Sequence, residues 1–116
     1  MEVVTTITNV EFGKMINAAA DALKNNAEKI NKLNVFPVPD GDTGTNMTLS
    51  MASGAEYERN ETDTHLGALA QATSKGLLMG ARGNSGVILS QIFRGFAAKI
   101  ADKETLSARD LADALM

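Results

Sequence analysis

Apolar residues recur at helical spacing over the first third of the chain. From Phe12 to Leu33 they follow one another mostly at steps of three and four, the spacing of a single face of an α-helix. Thr8 and Glu11 have the spacing of a capping box, and Ile7 lies where a hydrophobic staple to Phe12 is expected. The pattern predicts a first amphipathic helix that begins after Thr8 and continues to about Leu33.

Two prolines end this helical pattern. Pro37 and Pro39 lack a backbone donor and disfavour helical geometry in the preceding residue, so we expect residues 34–39 to run extended. Residues 40–46 have the sequence Asp-Gly-Asp-Thr-Gly-Thr-Asn, which is polar and contains two glycines. This composition predicts a loop.

Further helical stretches follow the loop. We predict a short second helix over about 47–58 and a third over about 65–79, separated by a charged connection. The glycine-rich residues 80–86 interrupt the pattern before a fourth amphipathic stretch over 87–100. The chain therefore continues as helices joined by short polar connections.

A fifth helix is predicted after Ser107, which can form a capping pair with Asp110. Nowhere do apolar and polar residues alternate between turns in the way that predicts a β-sheet. The expected fold class is therefore all-α, a bundle of antiparallel amphipathic helices. The pattern is still helical at Met116, so we expect residues 1–116 to be the N-terminal part of one larger domain.

Composition excludes several classes of protein. The 116 residues contain 44% hydrophobic residues, which suits one small globular domain, and no cysteine, which excludes disulfides, thiolate zinc sites and cysteine nucleophiles. The net charge is −3 and no cluster of Lys or Arg is present, so nucleic acid is not an expected partner. No apolar stretch has transmembrane length and no signal peptide is recognisable, which predicts a cytoplasmic location.

The acidic loop is the first candidate for chemistry. Asp40 and Asp42 place two carboxylates in a glycine-containing loop, and such hard oxygen ligands suit Mg²⁺. The alternative is an Asx-turn with two solvated acids. An EF-hand is excluded because Gly44 and Met51 occupy positions that require oxygen ligands.

The second candidate is the glycine-rich turn Gly83-Asn84-Ser85-Gly86, which opens a helix. The first backbone donors of a helix have no partner within it, and they attract phosphate. The alternative is an ordinary helix connection capped by Asn84 or Ser85. Arg82 could contact phosphate or cap the preceding helix. One acidic loop for a metal and one neutral loop for an anion together favour a site for a metal-bound phosphate.

The common nucleotide-binding motifs are missing from this chain. It contains no P-loop motif, no Rossmann glycine motif and no protein-kinase catalytic loop. The single histidine, His65, falls in a polar connection, which favours a surface position at a helix start over a role as general base.

Two segments nevertheless resemble a known family. They are residues 34–47, Asn-Val-Phe-Pro-Val-Pro-Asp-Gly-Asp-Thr-Gly-Thr-Asn-Met, and residues 80–91, Gly-Ala-Arg-Gly-Asn-Ser-Gly-Val-Ile-Leu-Ser-Gln. Both are similar to the nucleotide-binding (L) domain of the dihydroxyacetone kinase family, and most of all to the N-terminal domain of bacterial fatty acid kinase A subunits. The resemblance extends over about residues 12–116.

The resemblance implies a barrel of about eight antiparallel amphipathic helices, of which this chain would contain the first five or so, with ATP and Mg²⁺ at one end. It implies that Asp40 and Asp42 are the catalytic metal ligands. Dihydroxyacetone kinases have a third aspartate ahead of this pair, and Asn34 is the nearest oxygen-bearing residue here. The residues implied to bind the nucleotide phosphates are Thr43, Gly44, Thr45, Asn46, Gly83, Asn84, Ser85 and Gly86.

The implied activity is ATP-dependent phosphoryl transfer, in which positioning and neutralisation of charge by Mg²⁺ dominate. In fatty acid kinases the acceptor is a fatty acid carboxylate held by a separate fatty-acid-binding (DegV-type) protein. In dihydroxyacetone kinases it is a triose hydroxyl held by a dihydroxyacetone-binding subunit. Two alternatives are a non-catalytic nucleotide-binding regulatory module and a helical interaction domain. Missing helices would expose an apolar flank, which predicts self-association, with a homodimer as the simplest form.

Overall fold

The computed structural model describes residues 6–33 and 41–116. The expected extended segment 34–39, including Asn34, and the first acidic residue, Asp40, lie outside the described residues. The described part contains five helices, which confirms the all-α fold class. They are α1 (Asn9–Leu33), α2 (Thr43–Asn60), α3 (Leu66–Met79), α4 (Gly83–Lys99) and α5 (Ala108–Leu115).

A short pair of strands joins the two ends of the described chain. Strand β1 (Thr6–Ile7) is antiparallel to β2 (Leu106–Ser107), with Thr6 opposite Ser107 and Ile7 opposite Leu106. The sequence pattern did not predict these strands because two residues are too few to show an alternation. The strand pair fixes the entry to α1 beside the entry to α5.

Both predicted helix caps are present, although they differ in completeness. At α1 the Glu11 N–H donates to Thr8 Oγ1 at 3.4 Å. At α5 the capping box is complete: the Asp110 N–H donates to Ser107 Oγ and the Ser107 N–H donates to Asp110 Oδ2, each at 3.1 Å. These bonds satisfy backbone donors that have no partner inside their helix.

The first four helices run alternately up and down, and α2 lies in contact with α1, α3 and α4. The end of α1 therefore lies beside the start of α2, and the start of α4 reaches the same end of the bundle. The buried apolar core is built from all five helices and β2, and it consists of Phe12, Ile16, Met51, Ala55, Leu66, Leu69, Ala70, Ala72, Leu77, Phe96, Ala97, Ile100, Leu106 and Ala114.

The apolar stripe of α1 is only partly buried. Phe12 and Ile16 are in the core, whereas Met15 is 45% exposed and Leu33 is 74% exposed. An apolar groove lies between α1, α4 and α5, and its lining includes Phe12, Met15, Ile92, Phe93 and Leu111. The self-association expected from an open apolar flank stays a prediction. Among the described helices, none combines the length and apolarity needed to cross a bilayer.

The start of α2 differs from the prediction. Thr43 to Asn46 were expected in a loop, but they form the first turn of the helix. The reason is a contact from α1: Asn31 Oδ1 accepts the Thr45 N–H at 3.1 Å, and Asn31 Nδ2 donates to Thr45 Oγ1 at 2.9 Å. A backbone donor of the first turn thus finds its acceptor 14 residues earlier in the chain.

We expect Gly44→Ala to destabilise the fold. A Cβ at Gly44 would lie 2.3 Å from the Ala27 carbonyl oxygen, so α2 would have to move away from α1. Overpacking of this kind costs about 1–3 kcal/mol. The matched control is Gly95→Ala in α4, where an added Cβ meets no atom within 4 Å. This control should stabilise by about 0.5–1 kcal/mol. Equal free energies of unfolding for the two variants in urea would contradict the prediction.

A buried glutamate lies at the opposite end of the α1 and α2 pair. Glu58 is 7% exposed, and its Oε1 would be 2.9 Å from a Cβ at Gly13. Its carboxylate has no hydrogen bond within the described residues, and nearby Arg59 donates to Asn17 Oδ1 at 2.7 Å instead. Burial raises the pKa of Glu58, against a smaller lowering by Arg59.

This raised pKa predicts a pH-dependent effect of Glu58→Gln. The folded protein holds the Glu58 proton more tightly than the unfolded chain, so ionisation costs stability as the pH rises through the folded pKa. Glu58→Gln should therefore raise the unfolding temperature at pH 7, and the difference should shrink towards pH 4. Glu56→Gln, which removes the same charge from an exposed position of α2, should show no such trend. A constant offset at every pH would count against this account.

Candidate functional site

The starts of α2 and α4 meet at one end of the bundle. Ser85 Oγ, in the first turn of α4, donates to the Thr43 carbonyl oxygen in the first turn of α2 at 3.4 Å. The two segments singled out from the sequence are therefore neighbours, although 42 positions separate these two residues. One surface carries both helix N-termini.

A buried serine holds these two helix starts together. Ser50 is 0% exposed, and its Oγ donates to the Asn46 carbonyl oxygen at 2.7 Å and accepts the Arg82 N–H at 3.0 Å. A Cβ at Gly86 would lie 2.3 Å from Ser50 Oγ. Only glycine at position 86 allows α4 to approach α2 this closely.

A second glycine sets the direction in which α4 begins. Gly83 has a φ of +63°, in the left-handed region that residues with a Cβ rarely adopt. A Cβ there would lie 2.4 Å from Asn46 Nδ2, so the Asn46 side chain rests directly on the Gly83 backbone. The glycine-rich turn thus has both a conformational and a packing reason for its composition.

The first turn of α4 presents backbone donors without acceptors. Among residues 6–33 and 41–116, no acceptor is found for the N–H groups of Gly83, Asn84 and Ser85, and the first intrahelical bond is Gly86 N–H to the Arg82 carbonyl at 3.1 Å. Neither Asn84 nor Ser85 caps the helix: Arg82 is the residue before α4, no described side chain makes a capping bond there, and Ser85 donates to α2. Unpaired N–H groups and the positive end of the helix dipole favour an anion here.

The carboxylate of Asp42 lies at the same end of the bundle. Asp42 is the residue before α2 and is exposed, yet its side chain makes no capping bond to the helix. Its ψ of 4° differs from the 169° of Ser107, which caps α5 in the usual way. Within the described residues, the helix therefore leaves this carboxylate available to an external ligand.

The remaining predicted residues of the first turn of α2 have separate roles. Gly44 is buried against α1, Thr45 is bonded to Asn31, and Asn46 covers Gly83. Asn34 and Asp40, the other proposed metal ligands, are not among the described residues. Within the described ranges no three acidic, histidine or cysteine side chains group together in a metal cluster.

Sequence reasoning missed two residues that organise this end of the bundle. Asn31 is a polar residue within the last turns of α1, and its position just before the proline break is the only signal that could have marked it. Ser50 stands between the apolar Leu49 and Met51, where a serine is expected to have a specific hydrogen-bond partner.

Two residues for which the sequence left two interpretations, His65 and Arg82, are also located. His65 precedes α3 at the opposite end of α2, so it takes no part in this site and is the helix-start residue predicted. Arg82 precedes α4, is exposed, and makes no side-chain hydrogen bond to any described residue. It is therefore available beside the α4 donors.

Comparison with known proteins identifies relatives. Protein YloV of Bacillus subtilis is 57% identical over 97% of this chain and 20% of its own length. Uncharacterized proteins of Staphylococcus saprophyticus and Staphylococcus aureus are 52% and 51% identical, each over 95% of this chain and 20% of their own length. The chain thus spans about a fifth of the length of the curated relatives it matches.

A family comparison covers both segments of the site. Residues 37–116, more than half of the chain, match the family described as DAK2 domain. This range includes the first turns of α2 and α4. The chain therefore belongs to the DAK2 domain family, the nucleotide-binding domain of the dihydroxyacetone kinases.

Proposed function

We propose that this chain binds the phosphates of Mg-ATP at the paired starts of α2 and α4. The observation that carries the proposal is their juxtaposition: unpaired N–H groups of the first turn of α4 lie beside the exposed, uncapped carboxylate of Asp42. The N–H groups suit an anion and the carboxylate suits a cation, and both lie on one surface. A metal-bound polyphosphate combines both charges.

The residues present fit a magnesium ion that is shared with phosphate. Mg²⁺ commonly takes one or two carboxylates from the protein and completes its octahedron with water and phosphate oxygens. Asp42 would supply one such ligand, and Asp40 and Asn34 are the proposed others. A bound Mg²⁺ would neutralise charge on the transferring phosphoryl group. The N–H groups of Gly83, Asn84 and Ser85 would orient the phosphate oxygens.

The proposed reaction of the whole protein is transfer of the γ-phosphoryl group to a fatty acid carboxylate. The carboxylate oxygen would attack phosphorus, the bond to the β-phosphate oxygen would break, and an acyl phosphate and ADP would form. The acceptor would be held by a separate DegV-type protein, in line with the resemblance of residues 34–47 to fatty acid kinases. Dihydroxyacetone, held by another subunit, is the alternative acceptor.

Asp42→Asn tests the nucleotide site directly. Calorimetric titration of ATP into the full-length protein should show binding that requires Mg²⁺, because the metal bridges the nucleotide to the carboxylate. Asp42→Asn should weaken Mg-ATP binding by about 100-fold. Loss of a residue that only orients a metal ligand costs about 10–100-fold, and loss of a ligand itself should cost at least as much. Asp21→Asn, which removes a charge from an exposed position of α1, should bind as the wild type does.

Two results would contradict this site. Equal Mg-ATP affinity in Asp42→Asn and the wild type would exclude Asp42 as a ligand. Absence of ATP binding in the presence of Mg²⁺ would remove the kinase proposal and favour a helical interaction domain.

The acceptor requires a separate assay. The full-length protein, mixed with ATP, Mg²⁺ and a fatty acid loaded on a DegV-type protein, should form an acyl phosphate that hydroxylamine traps. Dihydroxyacetone and its binding subunit serve as the parallel reaction. Phosphorylation of the triose alone would select the alternative kinase, and ATP binding without turnover in either reaction would favour a regulatory module.

A further inference from the structure

We propose that Asn31 is a positioning residue for the metal site, because it caps α2 in place of Asp42. This inference rests on the proposed function, since it concerns how the Asp42 carboxylate is kept available for Mg²⁺. Asn31 lies near the end of α1 and would not contact the nucleotide itself in this role.

The cap is supplied from outside the helix. Asn31 Oδ1 accepts the Thr45 N–H at 3.1 Å, and Thr45 is the third residue of α2, the position whose N–H a capping side chain ordinarily satisfies. Asn31 Nδ2 donates to Thr45 Oγ1 at 2.9 Å. Both ends of the Asn31 amide are therefore engaged by one residue of α2.

Asp42 occupies the position from which a helix normally caps itself. Aspartate is among the most favoured residues there, because its carboxylate accepts the N–H two or three residues later. Ser107 shows the ordinary arrangement in this same chain: it accepts the Asp110 N–H at 3.1 Å from an extended backbone. Asp42 does neither, with a ψ of 4° and no capping bond.

These observations together explain why the Asp42 carboxylate does not cap α2. Asn31 already satisfies the Thr45 N–H, the donor three residues after Asp42, so this donor does not recruit the Asp42 carboxylate. Without Asn31 the same N–H would be unpaired, and Asp42 could satisfy it by turning to an extended conformation. The carboxylate would then be drawn to the helix and would have to be released before it could bind a metal.

The first test compares helix fraying in the metal-free, full-length protein by hydrogen exchange. Asn31→Ala should change exchange of residues 41–50 only slightly, because Asp42 takes over the cap. Asp42→Ala should also have little effect. The double variant should exchange about fivefold faster in the first turn, the loss expected when a cap worth ~1 kcal/mol disappears. Asn26→Ala is the matched control, since among the described residues the Asn26 side chain bonds within α1, to the Ala22 carbonyl at 2.7 Å.

The second test measures Mg-ATP affinity of the same full-length proteins. Asn31→Ala should bind about tenfold more weakly, as for other groups that orient metal ligands, although its α2 remains folded. Asn31→Asp should restore most of the affinity, because its carboxylate can still accept the Thr45 N–H and hydroxyl. If Asn31 only stabilised α2, loss of Mg-ATP affinity in Asn31→Ala would be accompanied by faster hydrogen exchange in α2.

The outcomes are distinguishable. Effects on exchange that are merely additive, or wild-type Mg-ATP affinity in Asn31→Ala, would overturn the role of Asn31 while leaving the nucleotide site intact. Absence of Mg-ATP binding in the wild type would overturn both proposals. Coupled exchange together with a selective loss of Mg-ATP affinity would establish Asn31 as the residue that keeps Asp42 available.

Discussion

The close packing of the first turn of α2 against the end of α1 is the contact on which the rest of this site depends. Gly44 has no side chain, so its backbone lies directly against the Ala27 carbonyl. Asn31 supplies two hydrogen bonds to Thr45, in a first turn that has no partner for its N–H groups within the helix. The helix can therefore start at Thr43. A later start would leave Asp42 on a longer, less ordered segment and away from the end of α4.

The second element of the site follows from small residues between α2 and α4. Ser50 and Gly86 bring the two helices close enough for Ser85 to reach the Thr43 carbonyl. Two positive helix ends are thus held near each other, an arrangement that is unfavourable by itself and that an anion relieves. Packing inside the bundle and the proposed affinity for phosphate therefore have a common origin in this contact.

The sequence predicted more of the helices than of their ends. The apolar spacing located the first four helices, and the two capping pairs located the starts of α1 and α5. It missed the start of α2 because the bond that fixes it comes from Asn31, and local patterns do not report contacts between distant residues. For the same reason the pairing of the two glycine-containing segments was a hypothesis until Ser50 and Gly83 showed how they touch. The metal ligands Asp40, Asp42 and Asn34 remain proposals.

The strand pair between β1 and β2 bears on how the fold assembles. Each contact between successive helices closes a short stretch of chain, whereas Thr6 and Ser107 lie about 100 residues apart and carry a larger entropic cost of closure. The contacts that hold the starts of α2 and α4 together do not require this pairing. That end of the bundle can therefore become ordered first, and we expect the strand pair to close the opposite end as a late step of folding.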